Sequence, residues 1–555
     1  MNKVLCILLC WSMLTYAQSK VEPDLRDYLE FRTSKGRYSG VTGIFKNGEM
    51  IFEYIGGEAN QSWSIPNSPE TRFNLASVTK IFTATGIGIL IDRGSLKLDD
   101  KIIDHFPQFP NAEIAKSVSI KALLSHTSGL SDFFFERAYL ESDKYRLRSL
   151  ADYDRFLASL RKGEVPGDRI LYSNSNYIIL GRIIELITGI SYYDFIKEEI
   201  FRKAGMPDTD FYEADRVVKN LAEGYSTDSQ ASMEFGVPHD KKVRKNNYMK
   251  AVKGMPAGGA YSTTKDMHTF IQALINGKLL KPSTLRTMTR QKQGGYGLGF
   301  QVYEQNGIPL WGHSGGFYGV STMVFHLPSS GHTFVSLTNS DFAAQPVFDR
   351  FINLLTGTET YQPVTMQAEM IKGFGGLFEV YEGEMLARQI SIEAREDRLI
   401  FDKELEFYPI GADRFFDIDN DLFTLNFTRD QNGKIDGFER TDNGRFHQKA
   451  RWIDPAEERK LTALNIADDV LEQFLGEYQF GEDGMMAGHK PQISIDQGGL
   501  LIDNMMKFLP FDRDKFFMKD DMGMQLHFQR NPEGDITGIH VMRQKAIVGR
   551  VKKLN

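Results

Sequence analysis

Cysteine is almost missing from this chain: there are two in 555 residues, Cys6 and Cys10, both within the first ten positions. Past them there is no thiol, which removes disulfides, thiolate nucleophiles and cysteine-held metal together. Long basic runs are also missing. The 66 Lys and Arg and 73 Asp and Glu give a net charge of −7 spread along the chain, so there is no electrostatic footprint for nucleic acid or an anionic membrane. After the first residues no stretch of about 18 uninterrupted apolar residues is present to span a bilayer, and no segment is of low complexity. Metalloprotease His-Glu-x-x-His and the P-loop pattern do not occur, and no Gly-x-Ser-x-Gly is read around a candidate nucleophile. The eleven histidines are scattered, so neither a metal nor a cofactor is implied.

What is present begins with MNKVLCILLCWSMLTYAQS: one lysine, an apolar run from Val4 to Leu14, then Thr15-Tyr-Ala17 as a small-residue cleavage pattern. This predicts a secretory signal over residues 1–17, with export to a periplasm or the medium and loss of both cysteines. Two alternatives stay open, an N-terminal core helix and a lipid-modified Cys10, although Leu8 and Leu9 are large for the latter.

Length predicts two to four domains, and 41% hydrophobic with 25% charged residues reads as ordinary soluble globular protein. From Val21 to about Thr360, strand-like pieces such as VTGIFKNGEMIFEYIG, with a turn at Asn47-Gly48, mix with helical patterns such as KIFTATGIGILIDRG and NYIILGRIIELITG. Beyond TGTETYQPVTM, short alternating strands and Gly or Asn-Gly turns take over. That final third repeats itself. RQISIEAREDRLIF aligns with PQISIDQGGLLI at an offset of 103 (492 − 389), and DRFF, LNF and NGKIDG align with DKFF, LHF and EGDITG at 101 (514 − 413). Two copies of one small all-β unit are therefore expected, joined through IDPAEERKLTALNIADD. The predicted boundaries are 18–362, 363–460 and 461–555.

Ser-x-x-Lys occurs three times, at Ser77–Lys80, Ser159–Lys162 and Ser262–Lys265, and the pattern alone decides little. Ser159 sits in LASLRKGEV, which reads as an exposed helix end. Ser262 reads as the N-cap of TKDMHTFIQALI. Lys80 differs, because about eleven uncharged residues follow it: it stands at the mouth of a helix built for burial, on the same face as Ser77. A desolvated lysine there has a depressed pKa and can take a serine proton.

Two further patterns bear on chemistry. Tyr172-Ser-Asn174 lies in a short polar loop before an apolar helix, where a phenol and a carboxamide can face a cleft; a plain helix cap by Asn174 or Ser175 is the alternative. His313-Ser-Gly315-Gly316 lies in a strand-like run, and adjacent glycines in a strand imply that something approaches the backbone closely, a substrate being one such thing. A glycine bulge beside a surface histidine is the alternative, and taken alone the pattern favours it.

In order, Ser-x-x-Lys, Tyr-x-Asn and His-x-Gly resemble the penicillin-recognising serine hydrolases: class C β-lactamases, D-alanyl-D-alanine carboxypeptidases, D-aminopeptidases and related esterases. LLSHTSGL (123–130), GGAYSTTKDM (258–267) and YGLGF (296–300) look like that family as well, and the resemblance covers roughly residues 25–355. It implies an α+β fold, a catalytic domain with an antiparallel sheet flanked by helices plus an all-helical region, followed here by two duplicated β-barrels that resemble three-domain D-aminopeptidases. It implies Ser77 as nucleophile, Lys80 and Tyr172 sharing general-base and general-acid duty, and Asn174, His313 and Gly315 binding substrate. The backbone N–H groups of Ser77 and Gly316 would form the oxyanion hole. His-Ser-Gly in place of Lys-Thr-Gly points away from efficient β-lactam hydrolysis and toward a small peptide or amide, with a D-amino acid, as substrate. A β-lactamase or carboxylesterase is the alternative, and an inactive penicillin-binding sensor a third. In the D-aminopeptidases a barrel loop shapes the active site, and GEDGMMAGHKP (481–491) is the candidate here.

Overall fold

The computed structural model describes residues 21–163, 170–227, 243–246, 250–290, 293–341, 343–382, 385–402, 405–442, 447–453, 468–480, 490–496, 498–503, 506–512, 514–518, 521–543 and 546–554. The predicted signal over 1–17, nearly all of the 481–491 segment and most of the predicted connector at 453–469 lie outside them. The chain divides into two compact units, Met1–Gln362 and Pro363–Asn555.

In the first unit a helix over 21–34 (α1) leads into the hairpin of β1 (Gly40–Lys46) and β2 (Glu49–Gly56). Its turn is Asn47-Gly48, both at positive φ (52° and 94°), as a tight hairpin turn requires. Four strands from the end of the unit complete the sheet: β3 (Gln301–Gln305), β4 (Ile308–Phe317), β5 (Val320–Leu327) and β6 (His332–Thr338). The six-stranded order is β2-β1-β6-β5-β4-β3, all antiparallel. The neighbouring β5 and β6 are buried throughout, and polar side chains among them are paired, His326 with Thr333 (3.1 Å) and Ser336 with Thr42 of β1 (2.8 Å).

Both faces of the sheet are covered. Leu25 and Leu29 of α1 join Val347, Phe348 and Phe351 of the helix Ala344–Thr356 in one core against Ile44, Phe325 and Phe334 of the sheet. The buried Arg350 ties these helices together by donating from Nε to Asp24 Oδ1 at 2.8 Å. The opposite face packs on the helix Thr264–Ile275 and, beyond it, on the helical region between the two parts of the sheet. There α2 (Lys80–Asp92) is buried from Lys80 to Leu90 and packs against α3 (Ser175–Thr188), which ends on Gly189 in the left-handed region.

The second unit carries the duplication into three dimensions. Its first half is a closed eight-stranded barrel, β7 (Gly376–Glu382), β8 (Met385–Ala394), β9 (Leu399–Phe401), β10 (Leu405–Pro409), β11 (Arg414–Asp417), β12 (Asn420–Arg429), β13 (Ile435–Asp442) and β14 (His447–Ile453), with β14 returning to β7. The second half is an eight-stranded sheet in the same neighbour order, from Glu477–Phe480, paired with Ala546–Leu554, round to Ile493–Asp496. The side chains repeat too. Phe374 packs on Phe415 and Phe427 under Arg429, which pairs with Asp413; Phe474 packs on Phe516 and Phe528 under Arg530, which pairs with Asp514. One folding unit has thus been used twice.

Candidate active site

The site begins with a tight turn, Ala76–Thr79, that delivers Ser77 to the N-terminus of α2. Ala76 has φ +43°, a conformation that costs a non-glycine residue on the order of 1–3 kcal/mol and must be held from outside. Asn74 Oδ1 accepts from the Ala76 N–H (2.8 Å), and Thr322 Oγ1 donates to the Leu75 carbonyl (2.9 Å). The Gly-Gly-Ala run at 258–260 laces against the same turn: Gly259 N donates to Ala76 O, Leu75 N to Ala260 O, and Ala260 N to Thr79 Oγ1. A Cβ at Gly258 would stand 3.3 Å from the Ala76 carbonyl, so glycine lets this segment come close.

Lys80 is fully buried. Its Nζ donates to the Ala257 carbonyl (2.6 Å) and to Asn174 Oδ1 (2.8 Å), and it lies 3.1 Å from Ser77 Oγ. Burial lowers its pKa to about 7, against an opposing contribution from the Asp132 carboxylate. The two carbonyl acceptors occupy two of the amine's directions and leave the third for Ser77. The ammonium therefore donates to the serine, and the neutral amine presents its lone pair there, where it can accept the serine proton.

Tyr172 and Asn174 arrive from the loop before α3. Asn174 occupies the N-cap position, yet its side chain makes no cap hydrogen bond; it serves Lys80 and Asp132. Tyr172 is 40% exposed as a residue, while its hydroxyl turns inward to Ser77. Burial raises the phenol's pKa, partly offset by the Ser77 side chain beside it, so it stays protonated at neutral pH. The ammonium of Lys80 lies 4.8 Å from the Tyr172 ring centroid and 5.4 Å from that of Tyr177.

Two residues of this cluster were not singled out from sequence. Asp132 Oδ2 accepts from both the backbone N (3.0 Å) and Nδ2 (2.7 Å) of Asn174, and its other oxygen caps Phe134 N (3.1 Å). His126, at φ +56°, stacks on Tyr172 with centroids 4.2 Å apart. Its carbonyl and Nδ1 accept from the N–H groups of Leu171 (2.8 Å) and Ser173 (3.1 Å), so it grips Tyr172 from both sides. Burial holds its imidazole neutral, well below the ordinary histidine range. The quoted LLSHTSGL run contains His126 and ends two residues before Asp132, which was the available signal.

His313 lies one shell deeper. Its Nε2 accepts from the Tyr296 hydroxyl at 2.8 Å, and Nδ1 donates to the Ser314 carbonyl at 2.5 Å. Burial and the nearby Lys80 lower its pKa to about 3, so it brings no positive charge. The close approach that Gly315 permits is by the chain's own backbone: a Cβ there would lie 2.4 Å from Leu75 O and 3.1 Å from Ser77 N. Gly316 faces open space beside the pocket. Pairing between β4 and β3 stops at Gly312, and Ser314 N donates to Gln301 Oε1 away from β5. By strand alternation the Gly316 N–H points to that same free edge.

Gly312-His-Ser-Gly-Gly316 does have Gly-x-Ser-x-Gly spacing. Ser314, however, lies inside β4 with Oγ on Gln301 (3.1 Å), without the strand-turn-helix setting of a nucleophile elbow. Of the other Ser-x-x-Lys pairs, Ser159 donates to Phe156 O at a helix end. Ser262 corrects the expectation by one residue: it pairs in a short strand and bonds Thr209, and Thr263 is the N-cap, since the strand partner Phe73 fixes Ser262 in extended backbone.

Ser77, Asn174 and Gly316 border a cavity of about 410 Å³ walled by Phe134, Tyr139, Tyr212, Tyr261 and Phe317. No cluster of residues suited to a metal occurs among the described residues.

The sequence model of the family described as Beta-lactamase matches residues 22–357. Penicillin-binding protein 4* of Bacillus subtilis is 28% identical over 419 residues, covering 71% of this chain and 90% of that protein. The D-aminopeptidase of Brucella anthropi is 25% identical over 61% of this chain and 64% of its own length. Among solved structures, D-amino acid amidase from Ochrobactrum anthropi SV3, complexed with L-phenylalanine, superposes with a TM-score of 0.52 at 25% identity, over 60% of this chain and 98% of that one.

Proposed function

The chain belongs to the Beta-lactamase family, and from that footing we propose that it is an exported serine hydrolase that cleaves small peptides or amides containing a D-amino acid through an acyl-enzyme on Ser77. The observation that carries this reading is the Lys80 ammonium, buried 3.1 Å from Ser77 Oγ with a pKa brought down to about 7. As neutral amine, Lys80 takes the proton of Ser77 as Oγ attacks the substrate carbonyl. The Ser77 and Gly316 N–H groups receive the developing oxyanion, a contribution for which losing one donor typically costs about 10²–10³ in rate. Tyr172, a neutral phenol beside Ser77, passes a proton to the departing amine. Water then cleaves the ester by the same steps in reverse roles.

The relatives named for D-aminopeptidase and D-amino acid amidase activity support an amide with a D-residue. The third motif supports it too: His313 stands where Lys-Thr-Gly would place a lysine, and burial keeps it neutral. The test compares D-alanyl p-nitroanilide, a chromogenic cephalosporin and a short-chain ester, with wild type and Ser77→Ala side by side. The reading expects the anilide to be turned over fastest and Ser77→Ala to be inert. Preference for the cephalosporin would overturn the substrate assignment, and an active Ser77→Ala the nucleophile.

A further inference from the structure

The charge missing from His313 is found elsewhere on the pocket wall. Lys250 borders the cavity, half-buried, and its Nζ donates to the Tyr261 hydroxyl at 2.8 Å. Among the described residues no carboxylate pairs with it. The other lysine of the wall, Lys253, is neutralised by Glu213 at 3.3 Å, and Glu213 also holds Arg148. Asp341, the wall's one carboxylate among the described residues, is engaged by the backbone N–H groups of Gly319 and Thr227.

Tyr261 is firmly placed. It is buried, pairs with Asn74 three residues before Ser77, and exchanges backbone hydrogen bonds with Asp210. Its hydroxyl accepts from Lys250 and keeps its own hydrogen to donate. Lys250 and Tyr261 thus present two adjacent donors, one of them cationic, at the edge of an apolar, aromatic cavity. A carboxylate accepts from two such donors at once.

We propose that the substrate carries a carboxylate apart from the bond that is cut, and that Lys250 and Tyr261 receive it. This rests on the serine hydrolase reading above and adds the charge of the substrate to it. A cation in a partly desolvated wall favours an anionic ligand most where water is scarce, and the pocket's aromatic lining supplies that setting.

Two ester pairs test it with the full chain. p-Nitrophenyl monosuccinate and butyrate differ by a carboxylate in the acyl group; m-carboxyphenyl and phenyl acetate differ by one in the leaving group. The expected result is a higher kcat/KM for the charged member of one pair. In Lys250→Gln that charged-to-neutral ratio falls by at least about tenfold, the scale of one charge-assisted hydrogen bond, and Lys250→Arg restores most of it. A ratio unchanged in Lys250→Gln, or a wild type that prefers the neutral member of both pairs, overturns the proposal while leaving the hydrolase reading intact. Turnover undiminished in Ser77→Ala overturns both. As a measurement that needs no variant, glutarate inhibits the wild type more strongly than glutaramide; the reverse order contradicts the proposal.

Discussion

The Asp132 carboxylate holds Asn174 by two nitrogens at once, the backbone N at 3.0 Å and Nδ2 at 2.7 Å, and so fixes the carboxamide whose oxygen faces Lys80. Asp132 also favours the protonated form of Lys80. Replacing it by Asn removes that charge without removing volume. The expected outcome is roughly a tenfold loss of kcat/KM, with the acid limb of the pH profile moved to lower pH because Lys80 loses its proton more easily. A residue that only capped Phe134 would leave the limb in place.

For the wild type the same profile is expected to rise through about pH 7, where Lys80 becomes neutral. His126 and His313, both held neutral by burial, do not titrate in that range. Measuring kcat/KM from pH 5 to 9 checks this; a flat profile between 6 and 8 contradicts it.

Much of this constellation is legible in the sequence, and the reasons differ by residue. Lys80 stands out because an uncharged helix follows it, and the structure buries it completely. Tyr172 and Asn174 are set by a three-residue pattern. Asp132 escapes because its cap on Phe134 is what a sequence reader assigns to Asp before a helical turn; its second oxygen acts across 42 residues of chain. His126 acts through a ring and a left-handed backbone, neither of which has a spacing rule. The barrels are legible because the repeat exposes itself by self-alignment, whereas the order of the six-stranded sheet, with β1 joined to β6 across 286 (332 − 46) to 298 (338 − 40) residues of chain, is set by pairing that local patterns do not encode.

Stability carries a signature of Lys80 as well. Its folded pKa, about 7, lies below its unfolded value of 10.5, so between these the unfolded chain binds more protons and folding stability rises with pH. From pH 7 to 9 the wild type is expected to gain about 2 kcal/mol relative to Lys80→Met. Urea unfolding of the two proteins at both pH values gives this difference directly.

Gly315→Ala would put a methyl 2.4 Å from Leu75 O and 2.5 Å from Thr322 Oγ1, pushing on the turn that carries Ser77. Overpacking of this kind costs about 1–3 kcal/mol, and a displacement near 1 Å at the proposed nucleophile is expected to cost about a hundredfold in rate. Gly316→Ala meets nothing within 4 Å and is expected to keep the wild-type melting temperature. Thermal melts and kcat/KM of both variants separate the two glycines.

The account stands on Ser77 as the atom that is acylated. Brief reaction of the full chain with a fluorescent penicillin, followed by proteolysis and mass mapping, tests it most directly. The expected result is one adduct, on the peptide that contains Ser77, and none in Ser77→Ala. An adduct on another residue, or equal labelling of the variant, contradicts it.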